Sequence, residues 1–369
     1  MATRVCSYSK INLGLAIGPV RPDGFHELAT LYQTLALHDL VTVEAKPSTG
    51  ESRITLTTNH PQVPTDARNT AWKMVELALK RANVTAEVAI HIEKNLPVQG
   101  GLGAGSANAA AALIGLKREL RLALPEPARL ELAAEVGSDV PLFLLGGAVL
   151  GTGRGECVSA MPDLPATPCV IAVPEVGVST PQAFRDWDER QGTGNRQQGT
   201  AGVRLTSPAQ PDKLEELSHV YATVLRDCPS DFGFIPETGP TPDPSGIVRG
   251  SEESVTQNGL AGNPLLALVR TGIENDFEQV VFLQYPLLRE IKHELMGPPA
   301  DGLREGRPDD LSGKALYAAL SGSGSALFGL YRSEADARAA QQRVQASGCK
   351  AILTETLPRA EYWRTMFAE

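Results

Sequence analysis

The stretch Leu96-Pro97-Val98-Gln99-Gly100-Gly101-Leu102-Gly103-Ala104-Gly105-Ser106-Ala107-Asn108 constrains this chain more than any other segment. It follows a run, Val84 to Ile92, whose apolar residues alternate as in a β-strand, and it leads into an alanine-rich helical segment, Ala109 to Leu122. The order strand, glycine loop, helix turns backbone N–H groups toward an anion, with the partial positive charge of the helix N-terminus behind them. Two common phosphate loops are excluded. No Gly-Lys-Ser/Thr follows, so the loop is not a Walker A, and glycines at 101, 103 and 105 read G-x-G-x-G rather than the dinucleotide fingerprint G-x-G-x-x-G. A flexible turn ahead of an alanine-rich helix would carry the same residues, so the loop alone leaves both readings open.

Around it the chain alternates strands and helices. Ile11 to Ile17, Val41 to Ala45 and Ile54 to Thr58 read as strands, with an Arg21-Pro22-Asp23-Gly24 turn between the first two, and Asn69 to Ala82 has helical apolar spacing. A helix Pro127 to Val136 ends at Gly137-Ser138-Asp139-Val140-Pro141. An apolar run, Leu142 to Leu150, then meets a second glycine cluster, Gly151 to Gly155, and a strand follows at Val170 to Val173. Residues 188–262, rich in Gly, Pro, Thr, Ser and Gln, read as a surface insertion with a helical island at Leu214 to Leu225. Order returns with helical segments Pro264 to Leu268, Phe277 to Leu283 and Leu287 to Leu295, then a polar loop, Gly297 to Ser312. Ala315 to Tyr331 reads as strand, Ser321-Gly322-Ser323-Gly324-Ser325 turn, strand, ahead of a charged helix Glu334 to Ser347 and a last strand Ala351 to Leu353. With 369 residues, 42% of them hydrophobic, two lobes are expected.

Charge narrows the partners. A formal net charge of −9 argues against nucleic acid, which needs a basic surface. No apolar run reaches the ~18 residues of a membrane-spanning helix, and Met1 to Lys10 lacks the layout of a signal peptide. A cytoplasmic protein with a small-molecule substrate is expected, as a monomer or weak homodimer. The cysteines, Cys6, Cys157, Cys169, Cys228 and Cys349, are scattered without zinc-ligand spacing and read as reduced thiols.

Two further segments bear on chemistry. Ser9-Lys10-Ile11-Asn12-Leu13 places Lys10 and Asn12 on one face of a strand, although a solvent-facing lysine on an edge strand would look the same. Asp139 stands between a helix end and an apolar run, where it is either paired and desolvated or simply terminates the helix.

Taken together, Lys10-Ile11-Asn12-Leu13, the loop Leu96 to Asn108, and Ser321-Gly322-Ser323-Gly324-Ser325-Ala326 resemble, in order, the signature motifs of the GHMP kinases. Arg21 to Leu28, Gly137 to Pro141 and Asn275-Asp276-Phe277-Glu278 are most similar to the branch that phosphorylates the 2-hydroxyl of 4-diphosphocytidyl-2-C-methyl-D-erythritol in the non-mevalonate route to isoprenoid precursors. The likeness covers residues 5–187 and 263–355. It implies an α+β, two-lobed fold: a ribosomal-protein-S5-like lobe over residues 1–158 and a ferredoxin-like lobe over 159–369 that carries the insertion.

The resemblance also implies roles. Lys10 and Asp139 would be the catalytic pair. Pro97, Val98, Gln99, Gly100, Gly101, Leu102, Gly103, Ala104, Gly105, Ser106 and Ala107 would hold ATP, with Asn69 and Lys94 bordering the adenosine. Asn12, Phe25, His26, Thr180 and Phe184 would hold substrate, the aromatic rings stacking on cytosine; a turn histidine capping the local backbone is the plainer reading of His26. ATP and Mg²⁺ are the implied cofactors, the metal held mainly through ATP without dedicated protein ligands, with Ser106 as a contributor. Gln99, Ala104 and Ala107 depart from the family's loop. If Ala104 needs a positive φ, it costs on the order of 1 kcal/mol. A GHMP kinase for homoserine, mevalonate or a sugar, and an inactive GHMP-fold binding protein, are the alternatives.

Overall fold

A computed structural model describes residues 2–98, 100–196, 272, 274–297 and 313–369. The helical readings at 214–225 and 264–268, Cys228, Gln99 and most of the loop 297–312 lie outside the described residues.

The first sheet is six-stranded. It is built from β1 (Thr3–Val20), β2 (His26–Pro47), β3 (Arg53–Thr58), β4 (Ala86–Glu93), β5 (Ala148–Thr152) and β6 (Cys157–Ala160), in the order β3-β4-β2-β5-β6 with β1 also paired to β2. β3 and β4 are parallel; the other pairs are antiparallel. The second sheet runs β10-β7-β9-β8, from β7 (Pro168–Val173), β8 (Tyr317–Leu320), β9 (Leu327–Leu330) and β10 (Lys350–Glu355).

Helices α1 (Thr70–Ala82), α2 (Ala104–Leu120) and α3 (Glu126–Val136) cover the first sheet. Their apolar faces, led by the alanines of α2, form one core with Val41, Val43, Ile90 and Ile92. Alanine keeps the helix axis close to the sheet at little entropic cost. Helices α4 (Thr180–Arg196), α5 (Glu278–Gln284), α6 (Pro286–Met296) and α7 (Glu334–Ala346) go with the second sheet, where Phe277, Leu288, Ile291, Ala340 and Val344 pack on Ala318, Leu320 and Leu327. A third cluster joins the sheets: Ile11, Leu13, Leu31 and Leu35 against Ile171, Phe328 and Leu330.

β1 links the two lobes. Its first half belongs to the first core, while Leu15 and Ile17 belong to the second, where Leu15 pairs with Asn275 and the Ile17 N–H donates to Asp276. Lys10 and Asn12 therefore sit where the strand passes between the lobes. The β1–β2 register shifts between Tyr8 and Lys10 and again between Asn12 and Gly14, and such irregularities re-aim side chains locally.

Several elements differ from the sequence reading. β1 and β2 are far longer than their apolar cores, because both faces of each strand are covered and strict alternation is lost. α2 begins at Ala104, not Ala109: Gly103, at φ +72°, turns the chain straight into the helix. Ala104 is thus helical and carries no left-handed strain; among the described residues only Asn83 and Arg121 are non-glycine residues at positive φ. β6 and a final helix, α8 (Arg359–Arg364), were not anticipated. The signal for α8 was present in Pro358 ahead of Tyr362 and Met366, which both pack into the first core. No helix among the described residues is long and apolar enough to cross a membrane.

Candidate active site

The three motif segments meet around Lys10. Its ammonium, nearly buried, donates to Asn12 Oδ1 at 2.7 Å and lies 3.3 Å from Asp139 Oδ2, and Asn12 Nδ2 donates to Thr30. Lys10 N donates to the Leu102 carbonyl, tying β1 to the glycine loop. The Ser321–Ala326 turn closes the other side: Ala326 N donates to Gly100 O and Ser321 Oγ to Gly101 O. A Cβ on Gly101 would stand 2.1 Å from the Ser321 carbonyl oxygen, and one on Gly322 would stand 3.7 Å from Lys10 Nζ. The turn is held in place by Asn275, whose amide donates to the carbonyls of Leu320 and Gly322.

The cradle fits an anion. Gly100, Gly101 and Gly103 all take positive φ, and α2 starts with no side-chain cap and no acidic residue in its first turn. The first N–H groups of such a helix lack intrahelical partners and carry the positive end of the dipole. Ser106 and the buried Ala107 lie in this first turn. The start of α1 lies alongside, with Thr70 Oγ1 donating to Gly105 O. Asn69 caps α1, accepting from Ala71 N and donating to Pro64 O.

Lys94 is placed differently from a free cation at a nucleotide. Its ammonium donates to Asp39 Oδ2 at 2.6 Å, with both side chains buried, and Asp39 also accepts from the N–H groups of Asn95 and Leu96. Burial lowers the Lys94 pKa, with Asp39 opposing the shift. The pair anchors the chain where it leaves β4 for Pro97, Val98 and the loop.

Asp139 lies between α3 and the short 3-10 helix Pro141–Leu144. Its side chain is 33% exposed, so it is both paired and open to solvent. The hydroxyl of buried Tyr32 donates to Oδ1 at 3.0 Å, a contact not foreseen in the sequence. Burial and the carboxylate push the Tyr32 phenol well above its usual range.

The expected nucleobase side lies at the start of β2 and α4. His26, nearly buried, stacks on Phe184 with centroids 4.8 Å apart and planes at 12°, and its Nε2 is 2.8 Å from Asp188 Oδ1. Phe184 also meets the edge of Phe277. Phe25 projects outward, 54% exposed, with the Arg154 guanidinium 4.9 Å from its ring centre. His26 and Phe184 are thus brought together, with the imidazole on the phenylalanine face, while Phe25 stands apart from that stack. Thr180 and Ser323 share a hydrogen bond of 2.7 Å, joining α4 to the third motif. Sequence reasoning missed Tyr32 and Asp188.

The GHMP kinase N-terminal domain model matches residues 69–147, and the GHMP kinase C-terminal model matches 309–350. The 4-diphosphocytidyl-2-C-methyl-D-erythritol kinase of Synechococcus sp. (strain JA-2-3B'a(2-13)) is 33% identical over 368 residues, 100% of this chain and 94% of that protein. The chain belongs to this family of GHMP kinases. The crystal structure of a 4-(cytidine 5'-diphospho)-2C-methyl-D-erythritol kinase aligns with a TM-score of 0.59 at 26% identity, covering 96% of this chain and 98% of that one. A homoserine kinase from Cytophaga hutchinsonii ATCC 33406 aligns with a TM-score of 0.61 at 18% identity, covering 97% and 95%. Backbone likeness therefore identifies the superfamily fold, and the finer assignment within the GHMP kinases rests on sequence identity along the whole chain.

Proposed function

We propose that this kinase transfers the γ-phosphoryl group of ATP to the 2-hydroxyl of 4-diphosphocytidyl-2-C-methyl-D-erythritol, giving the 2-phosphate and ADP. The observation that carries the reading is Lys10 Nζ lying 3.3 Å from Asp139 Oδ2 beside a glycine cradle built for an anion. Asp139 accepts the hydroxyl proton as the acceptor oxygen bonds to the γ-phosphorus, and the bridging oxygen departs with ADP. Lys10, held by Asn12, offsets the charge spread over the transferred group. The loop from Pro97 to Ala107 holds the ATP phosphates, with Asn69 and the buried Lys94–Asp39 pair supporting the walls on the adenosine side.

Mg²⁺ would be held mainly through ATP, with the Ser106 hydroxyl as a hard oxygen donor of the kind such an ion takes, and would offset the negative charge of the phosphates. Cytosine binds at His26, Phe184 and Phe25, with Thr180 and Asn12 on the substrate side. Stacking tolerates phenylalanine, and base–aromatic contacts contribute about 1–3 kcal/mol each in nucleic-acid binders. The stacked His26–Phe184 pair favours a flat, aromatic ligand over homoserine, mevalonate or a sugar, none of which offers an aromatic ring to stack.

The test is enzyme-linked ADP release with Mg-ATP and each of the cytidyl substrate, homoserine, mevalonate and galactose. Turnover with the cytidyl substrate alone is expected, and Asp139→Ala should lower kcat by about 10²- to 10⁴-fold. Turnover with another alcohol alone would remove the cytosine assignment, and an Asp139→Ala protein with near-normal turnover would remove the catalytic one.

A further inference from the structure

The Gly151–Gly155 cluster has no role in the phosphate cradle, yet the site leans on it. Tyr32 lies on β2 opposite Asn12 on β1 and Val149 on β5, so its ring enters the site between the lysine-bearing strand and the β5–β6 turn. A Cβ on Gly151 would stand 2.6 Å from Tyr32 Cε2, and one on Gly155 would stand 2.6 Å from the Tyr32 hydroxyl oxygen. The turn thus leaves room for the hydroxyl as well as for the ring, which packing alone would not require. Lys10 Nζ lies 5.5 Å from the ring centre, so the same side chain lines the ammonium.

We propose that Tyr32 is a positioning residue for phosphoryl transfer: its hydroxyl holds Asp139 by Oδ1, leaving Oδ2 turned toward Lys10 and the acceptor hydroxyl. The inference rests on the reading of Asp139 as the proton acceptor. A carboxylate on a turn and one-third exposed is free to rotate about its last bond unless one oxygen is held. Tyr32 Oη at 3.0 Å from Oδ1 supplies that restraint, while Oδ2 faces Lys10 at 3.3 Å. The phenol suits the task because burial and the carboxylate keep it protonated at any working pH, so it always donates. A buried hydroxyl also cannot give up its acceptor without leaving a polar group unsatisfied, which ties the two side chains to each other.

The test uses the full-length protein with Mg-ATP and the cytidyl substrate, comparing wild type, Tyr32→Phe and Asp139→Ala. Tyr32→Phe keeps the ring and deletes the hydrogen bond. It is expected to lower kcat by roughly 10- to 100-fold, the worth of one hydrogen bond to a charged group, while both KM values stay within about twofold. The charged or titratable groups facing Asp139 are Lys10 from β1 and Tyr32 from β2, with Glu156 of the β5–β6 turn close enough to act on the phenol. With the phenol gone, Oδ1 loses its donor and the carboxylate turns freely about its last bond, so the loss falls on kcat rather than on KM. A merely structural tyrosine would change the amount of folded protein and leave kcat per folded enzyme at the wild-type value.

Gly155→Ala crowds the hydroxyl from the turn while leaving Tyr32 in place, and it should lower kcat in the same sense. This second variant decides the matter if Tyr32→Phe yields no folded protein. Wild-type kcat in Tyr32→Phe or, failing that variant, in Gly155→Ala, beside an inactive Asp139→Ala, would overturn the role of Tyr32 and leave that of Asp139 intact. An active Asp139→Ala would overturn both.

Discussion

Replacing Gly101 by alanine adds one methyl group at the seam between the glycine loop and the Ser321–Ala326 turn, and the structure gives a magnitude for the result. Gly101 has φ +81°, where an L-residue costs about 1–2 kcal/mol. The new Cβ would also stand 2.1 Å from the Ser321 carbonyl oxygen and 3.0 Å from its carbon. That oxygen belongs to backbone and cannot swing aside, because Ser321 N, Ser321 Oγ and the neighbouring carbonyls of Leu320 and Gly322 are all hydrogen-bonded. Forcing the segments apart should cost a further 1–3 kcal/mol or so, as overpacking elsewhere does.

The sum, about 2–5 kcal/mol, is a large part of the roughly 5–15 kcal/mol that a folded protein holds. Two other glycines separate the contributions. Gly24 has φ +82° and nothing within 4 Å of its Cβ, so Gly24→Ala measures the backbone strain alone. Gly105 is helical, with only Thr70 Oγ1 at 3.5 Å, so Gly105→Ala should stabilise by about 0.5–1 kcal/mol. All three variants restrict the unfolded chain equally, so that effect cancels between them. Urea unfolding gives the order, and ADP release should show kcat/KM for Gly101→Ala down about 100-fold, as expected for a misplacement of an ångström. If Gly101→Ala unfolds no more easily than Gly24→Ala, the seam argument is wrong.

Further outcomes follow from buried groups away from the reacting atoms. Asp39→Asn leaves the Lys94 ammonium buried without its counter-charge and should cost about 3–5 kcal/mol in urea unfolding. Because burial holds the folded Lys94 pKa below its unfolded value, the unfolded state binds the extra proton, and the variant should recover stability as pH rises toward 10; a flat response would refute this. Tyr8, buried and donating to Thr365, has its phenol pushed up to about 12, chiefly by burial. Its contribution to stability is complete below the unfolded phenol value near 10 and is lost as pH climbs from there toward 12. The urea midpoint should fall over that window, and less steeply in Tyr8→Phe; equal slopes would count against the assignment.

Local patterns carried much of this. The alternation in Ala86–Glu93 matches its observed burial residue by residue, and the helix from Thr70 begins at the asparagine that caps it. Lys10 and Asn12 share a strand face and prove to be hydrogen-bonded. Where both faces of a strand are buried, as in β1 and β2, alternation vanishes and the ends could not be read from the pattern. The early start of α2 was hidden because glycine and alanine give no apolar period, and only the backbone turn at Gly103 reveals it.

The sequence by itself determined the glycine loop between strand and helix, the Lys10–Asn12 face and the family motifs, because each depends on residues within a few positions of one another. The tertiary structure alone decided that Asp139 meets Lys10, that Tyr32 holds Asp139, that Lys94 turns to Asp39, and that His26 lies on Phe184. Those contacts join segments far apart in the chain, and their geometry follows from how two sheets pack through Ile11, Leu31 and Phe328, a three-dimensional fit that no local spacing encodes.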